Sequence, residues 1–213
     1  MKSHVFILVF ALISVSTFAQ TEISLTDSPY PLTNSADNNT RTAFVSLFDD
    51  HNTGNLHVFT TMDIDEDPEY FFTGTEIPEG FWYMIPRGWR SQLMNETAKA
   101  YTTYNIRGES DEYYIIRYEK GSDHSLVLYQ LAEDGLVHMM DLASYSCMDS
   151  DCEQVDSWLQ DVDGDTRLDI IQKTKSGDSV TTEVYKLSNA GIFARDPNPE
   201  VVDYKFPMVE FNR

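Results

Sequence analysis

Four aspartates, Asp161, Asp163, Asp165 and Asp169, stand at positions 1, 3, 5 and 9 of the segment DVDGDTRLDII. Alternate carboxylates in a tight turn can fold inward on one point, and Gly164 supplies the freedom for the bend. An all-oxygen ligand set of this kind suits calcium, which takes about six to eight oxygens; a backbone carbonyl, expected at Arg167, and water would complete the shell. The competing reading is a solvated hairpin turn, because Asp and Gly are ordinary turn residues. Carboxylates this close repel one another without a counter-charge, which favours the cation. A second acidic run, Asp63, Asp65, Asp67 and Glu69, repeats the spacing but has Pro68 at position 6 and Phe71 at position 9. It reads as a charged loop.

The segments around these turns have strand length and strand composition. TAFVSLF, NLHVFTT, AYTTYNI, EYYIIRY, SLVLYQL, LDIIQK and TTEVYKL are rich in β-branched and aromatic residues, and EKGSD, AEDG, KSGD and SNAG separate several of them as turns. Only Trp89–Tyr101 is expected to hold a helical turn or two, so the fold class is all-β. Residues 20–41 have the composition of a loosely attached arm.

An internal repeat makes the expectation more specific. A gapless shift of 56 positions places Gly108 on Gly164, Ile115 on Ile171, Gly121 on Gly177, Tyr129 on Tyr185 and Gly135 on Gly191. A further shift brings Asp49 onto Asp161 and Leu56 onto Leu168. Each copy reads as four antiparallel strands, the blade unit of a β-propeller. Blades are expected at about 42–97, 98–153 and 154–197, with C-terminal strands in 198–213. Three copies fall short of the usual minimum of about four blades. The arm and the tail Val201–Phe211 could add strands, leaving a closed small ring, a partial propeller or pairing with another chain as the options.

Two calcium loops begin in this way. The EF-hand form wants Gly at position 6 and Glu at position 12, where this chain has Thr166 and Gln172 between strands, so that reading fails. DVDGDTRLDII instead resembles the FG-GAP (VCBS) repeat, the blade unit of integrin α-chain-like propellers, whose signature runs D-x-[DN]-G-[DN]-G-x-x-D-[IVL]. Asp161, Asp163, Gly164, Asp165, Asp169 and Ile170 match it, and Thr166 stands where that family has Gly. The resemblance implies one calcium site with Asp161, Asp163, Asp165, Asp169 and the Arg167 carbonyl as ligands. In the other copies the loop has decayed, to Asp49, His51, Thr53 and His57 and to Asn105, Arg107, Glu109 and Tyr113.

The N-terminus, MKSHVFILVFALISVSTFAQ, reads as a secretory signal peptide over residues 1–19: a basic start, an apolar run Val5–Val15 too short to span a bilayer, and small residues up to Ala19. A secreted or periplasmic protein follows. In an oxidising compartment Cys147 and Cys152 are expected to pair, free thiols being the alternative. The 213-residue chain carries 35 acidic against 15 basic residues, a formal net charge of -20. Nucleic acid and anionic membrane surfaces are therefore poor partners.

Trp82 and Trp89, with Arg87 and Arg90 beside them, are candidate anchors for a protein or glycan partner if exposed, and core residues if not. The chain has no G-x-S-x-G, H-E-x-x-H or phosphate-cradling glycine loop. The expectation is a secreted, calcium-binding, non-catalytic binding module. Its rival is a small secreted carbohydrate-active hydrolase or lyase that uses acidic residues.

Overall fold

A computed structural model describes residues 38–52, 55–61, 72–107, 111–148 and 151–211. The expected signal peptide, most of the expected arm and the Asp63–Glu69 run lie outside these residues. Helix α1 (Asn38–Val45) is followed by three short strands, β1 (Asp49–Asn52), β2 (Leu56–Val58) and β3 (Thr75–Glu76). A 3-10 turn at Glu79–Met84 leads into helix α2 (Arg87–Met94). Eight further strands complete the chain: β4 (Lys99–Arg107), β5 (Glu112–Lys120), β6 (Asp123–Ala132), β7 (Gly135–Met148), β8 (Asp151–Gln160), β9 (Asp169–Ser176), β10 (Ser179–Leu187) and β11 (Phe193–Arg195).

The period of 56 is visible in the hydrogen bonding. Strand β5 pairs with β6 so that Ile115 faces Leu128, and β9 pairs with β10 so that Ile171 faces Val184, each partner displaced by the same 56 positions. The strands β4 to β7 and β8 to β11 are thus two corresponding antiparallel meanders. They do not form separate blades. The boundary expected at 153/154 falls inside β8, which pairs with β7 on one side and β9 on the other, so a single open sheet of eleven strands runs through both copies. A propeller ring is not what these strands build. The expected first blade is dispersed: β1 lies parallel to β4, β3 pairs with β4, and β2 pairs with β8. No strand forms in 198–211; a 3-10 turn at Asp203–Lys205 stands there instead.

Both faces of β5 and β6 are buried, which explains why Tyr113–Ile116 and Leu126–Tyr129 are apolar at consecutive positions rather than at alternate ones. Tyr113 and Ile115 of β5 and Leu126 and Leu128 of β6 share a central cluster with Leu159 of β8 and Ile170 of β9. Their neighbours Tyr114, Ile116, Tyr118, Val127 and Tyr129 point the other way, under Phe44 and Phe48, Met84 and Ile85, and Leu93 of α2. On the far side, Trp158, Ile171 and Val184 are covered by Phe206 from the C-terminal segment. Helix α1 starts at Asn38, so the end of the expected arm is ordered, and Phe44, fully buried, anchors it. Gly135, at φ +126°, lets the β6–β7 turn pass beneath the 3-10 turn: a Cβ there would lie 2.8 Å from the Met84 carbonyl oxygen. No helix among the described residues is long and apolar enough to cross a membrane.

Candidate metal centre

The 161–169 loop joins β8 to β9, and its own carboxylates organise its backbone. Asp161 Oδ1 accepts from the amide nitrogens of Gly164 at 2.7 Å and Asp165 at 3.2 Å, and its Oδ2 accepts from Thr166 at 2.9 Å. Asp163 Oδ1 accepts from the Asp165 amide, Asp165 Oδ1 from the Arg167 amide, and Asp169 Oδ2 from the Val162 amide at 3.0 Å. Two left-handed residues make the turn, Gly164 at φ +81° and Thr166 at φ +67°. Thr166 thus adopts a conformation that glycine takes freely and a β-branched residue takes at a cost.

Asp161, Asp163 and Asp169 each place one carboxylate oxygen within 4.8 Å of the others. Asp165 is not part of this group, its carboxylate being turned to the Arg167 amide. The Arg167 guanidinium points away, donating to the Ser188 carbonyl at 2.9 Å and to Asn189. Asp161 and Asp163 are exposed, whereas Asp169 is 2% exposed, and burial, reinforced by Asp163 and Asp165, pushes its carboxyl up to about 6. A carboxyl so raised holds its proton in the folded chain at pH values where the unfolded chain has lost it. Without a cation its ionisation therefore lowers stability as pH rises from about 4 to about 6.

Sequence reasoning missed Lys186. Its ammonium donates to Asp163 Oδ2 at 2.8 Å and lies 3.6 Å from Asp196. That hydrogen bond holds the Asp163 carboxyl below its usual range. Lys186 reaches the loop because it faces Asp169 in the β9–β10 ladder, a register that the linear motif does not contain.

The degenerate copies have taken other partners. Arg107, one repeat before Asp163, lies 3.1 Å from both Asp50 and Glu112, and Asn105, one repeat before Asp161, donates to Glu112 at 2.8 Å. A guanidinium occupies the middle of that cluster. In the first copy, His57 Nε2 meets the fully buried carboxylate of Asp156 at 3.1 Å, and the imidazole stacks on Trp158. Thr53 and Glu109 lie outside the described residues.

Three of the four candidate partner anchors are engaged within the fold. Trp82 Nε1 donates to the Ile77 carbonyl, Trp89 stacks on Tyr118 with ring centroids 3.9 Å apart, and Arg90 donates to the carbonyls of Tyr83 and Ile85. Arg87 is exposed. Cys147 and Cys152 form a disulfide between directly paired residues of β7 and β8, with a Cα–Cα distance of 4.1 Å. Closing so short a loop contributes about 2 kcal/mol in the chain-entropy treatment.

No protein-family model matches the chain, and searches of curated proteins and of solved structures find no match either.

Proposed function

We propose that this chain is a secreted or periplasmic, non-catalytic binding module whose 161–169 loop holds one calcium ion in the manner of an FG-GAP-like repeat. The observation that carries the reading is the convergence of Asp161, Asp163 and Asp169 within 4.8 Å. Oxygens around a calcium ion at about 2.3–2.6 Å lie up to about 5.2 Å apart, so three oxygens within 4.8 Å of one another can share one ion. The preorganised turn supports the reading further, because the backbone bonds to Asp161 fix the loop before any ion arrives. The N-terminal sequence and the disulfide fit an oxidising compartment. A protein or a glycan is the kind of partner that such a module serves.

Thermal unfolding in excess chelator and in about 10 mM calcium tests the proposal, that concentration exceeding an extracellular-type dissociation constant of about 10⁻⁴–10⁻³ M. Calcium is expected to raise the melting temperature, and Asp163→Ala to abolish the rise. Identical melts for the unaltered chain in the two conditions would refute calcium binding.

A further inference from the structure

The C-terminal segment Val201–Phe211 crosses the meander β8–β10 without joining its ladder, and side chains hold it. The Val209 amide donates to Asp156 Oδ2 at 3.0 Å, and Gln154 Nε2 donates to the Val209 carbonyl at 3.0 Å. Both gripping side chains belong to buried residues, and Gln154 also donates to Asp156 Oδ1. Aromatic contacts flank this two-point grip: Phe206 stands edge-on to Trp158 at 5.7 Å, and Phe211 edge-on to Tyr145 at 5.2 Å. Upstream, Lys173 and Thr182 bind Asp203. Polar groups that read one residue's amide and carbonyl, with an aromatic contact on each side, make up a groove for a peptide segment. Here the occupant is the chain's own 201–211 segment.

The connector that ties this occupant to the sheet is held at Asp196, whose amide donates to the Val184 carbonyl, and is exposed beyond it. The connector Asp196–Glu200, DPNPE, carries Pro197 and Pro199, and residues 197–200 are exposed. An open cleft lies beneath it, lined by Val162, Asp163, Val184 and Lys186 on the sheet side and by Asn198, Pro199 and Glu200 on the connector side. The prolines favour an extended course.

We infer that the groove formed by Gln154, Asp156, Trp158 and Tyr145 accepts the 201–211 segment of a second copy in exchange for its own, giving a reciprocal tail-swapped dimer. Such an exchange keeps every groove contact and alters only the course of the connector. Each chain carries a formal charge of -20, so repulsion opposes the pair and salt relieves it. The inference does not rest on the calcium reading.

The test is size-exclusion chromatography with light scattering on the full chain in chelator, over a range of protein and salt concentrations. Deleting Asn198 and Pro199 shortens the connector so that the tail reaches a partner's groove more readily than its own. The shortened chain is expected to dimerise more readily as salt rises, and adding Phe206→Ala and Phe211→Ala is expected to return it to monomer. A folded shortened chain that stays monomeric at every concentration would overturn the inference. So would an oligomer that survives the two Phe substitutions. If the deletion prevents folding, a labelled peptide of residues 201–211 decides the matter. The unaltered chain should capture it weakly, because its own tail competes at high effective concentration. The full-length Phe206→Ala chain should capture it at least tenfold more tightly, and equal capture by both would also overturn the inference.

Discussion

The ammonium of Lys186 lies 2.8 Å from the Asp163 carboxylate, in the one place among the described residues where three aspartate oxygens converge. The loop therefore carries a side-chain counter-charge of its own, and an arriving cation must share Asp163 with it. Lys186→Gln is expected to lower the melting temperature in chelator and to raise calcium affinity several-fold, as measured by titration calorimetry. Unchanged affinity would mean that the ammonium and the ion do not compete.

Thr166 holds a left-handed backbone at φ +67° while its amide donates to Asp161 Oδ2. Glycine relieves a strain of about 1–2 kcal/mol there and returns part of it through the greater freedom of the unfolded chain. Thr166→Gly should stabilise the fold by about 0.5–1 kcal/mol in chemical denaturation. A destabilised variant would show that the Thr side chain contributes more than its backbone costs.

Trp89 contributes packing where its sequence context allowed a partner anchor. Its ring stacks on Tyr118, a fully buried residue that also bonds Tyr129. Trp89→Ala is expected to cost about 2–4 kcal/mol of stability. Arg87→Ala, in an exposed position on the same helix, should cost less than about 0.5 kcal/mol. Equal effects on stability would place Trp89 outside the core.

Buried phenols set an alkaline limit. Burial pushes Tyr113 up to about 12 and Tyr118 and Tyr129 higher still, the last two sharing a hydroxyl–hydroxyl contact of 3.0 Å. The unfolded phenols ionise near pH 10. Their stabilising contribution is therefore complete below about pH 10 and is lost as pH rises toward and beyond 12. Absorbance of the buried phenolates should appear together with loss of the β-sheet circular dichroism signal, and Tyr118→Phe with Tyr129→Phe should move that transition upward. Gradual ionisation of every tyrosine near pH 10 with the fold intact would contradict the burial.

Strand content was legible because β5 and β9 lie in strand-length segments rich in β-branched and aromatic residues and bounded by turn residues, and because a shift of 56 aligns Ile115 with Ile171. The joining of the copies was not legible. Turn composition at SCMDSDCEQV marks a connection without saying that Ser144 will face Val155 across it, and so it suits a break between units as well as a hairpin. Helix α1 was hidden by NNTRT, a composition shared by loops and helix starts, and its one fully buried anchor, Phe44, gives no helical period by itself. In the acidic loop the aspartate spacing was sufficient to find the cluster. The position of Lys186 required the register of β10, which a linear motif does not contain.

Strand β2 fills the place beside β8 that β7 vacates, and His57 meets Asp156 across 99 positions of sequence. This pairing sets an order of events in time. While the chain is being made from its N-terminus, β2 has no ladder partner until β8 has emerged, and closing so long a loop makes the step slow. Until then Leu56, Val58 and Phe59, all buried in the finished molecule, are open to other chains. The first third of the protein would spend the longest time dependent on whatever protects nascent apolar surface.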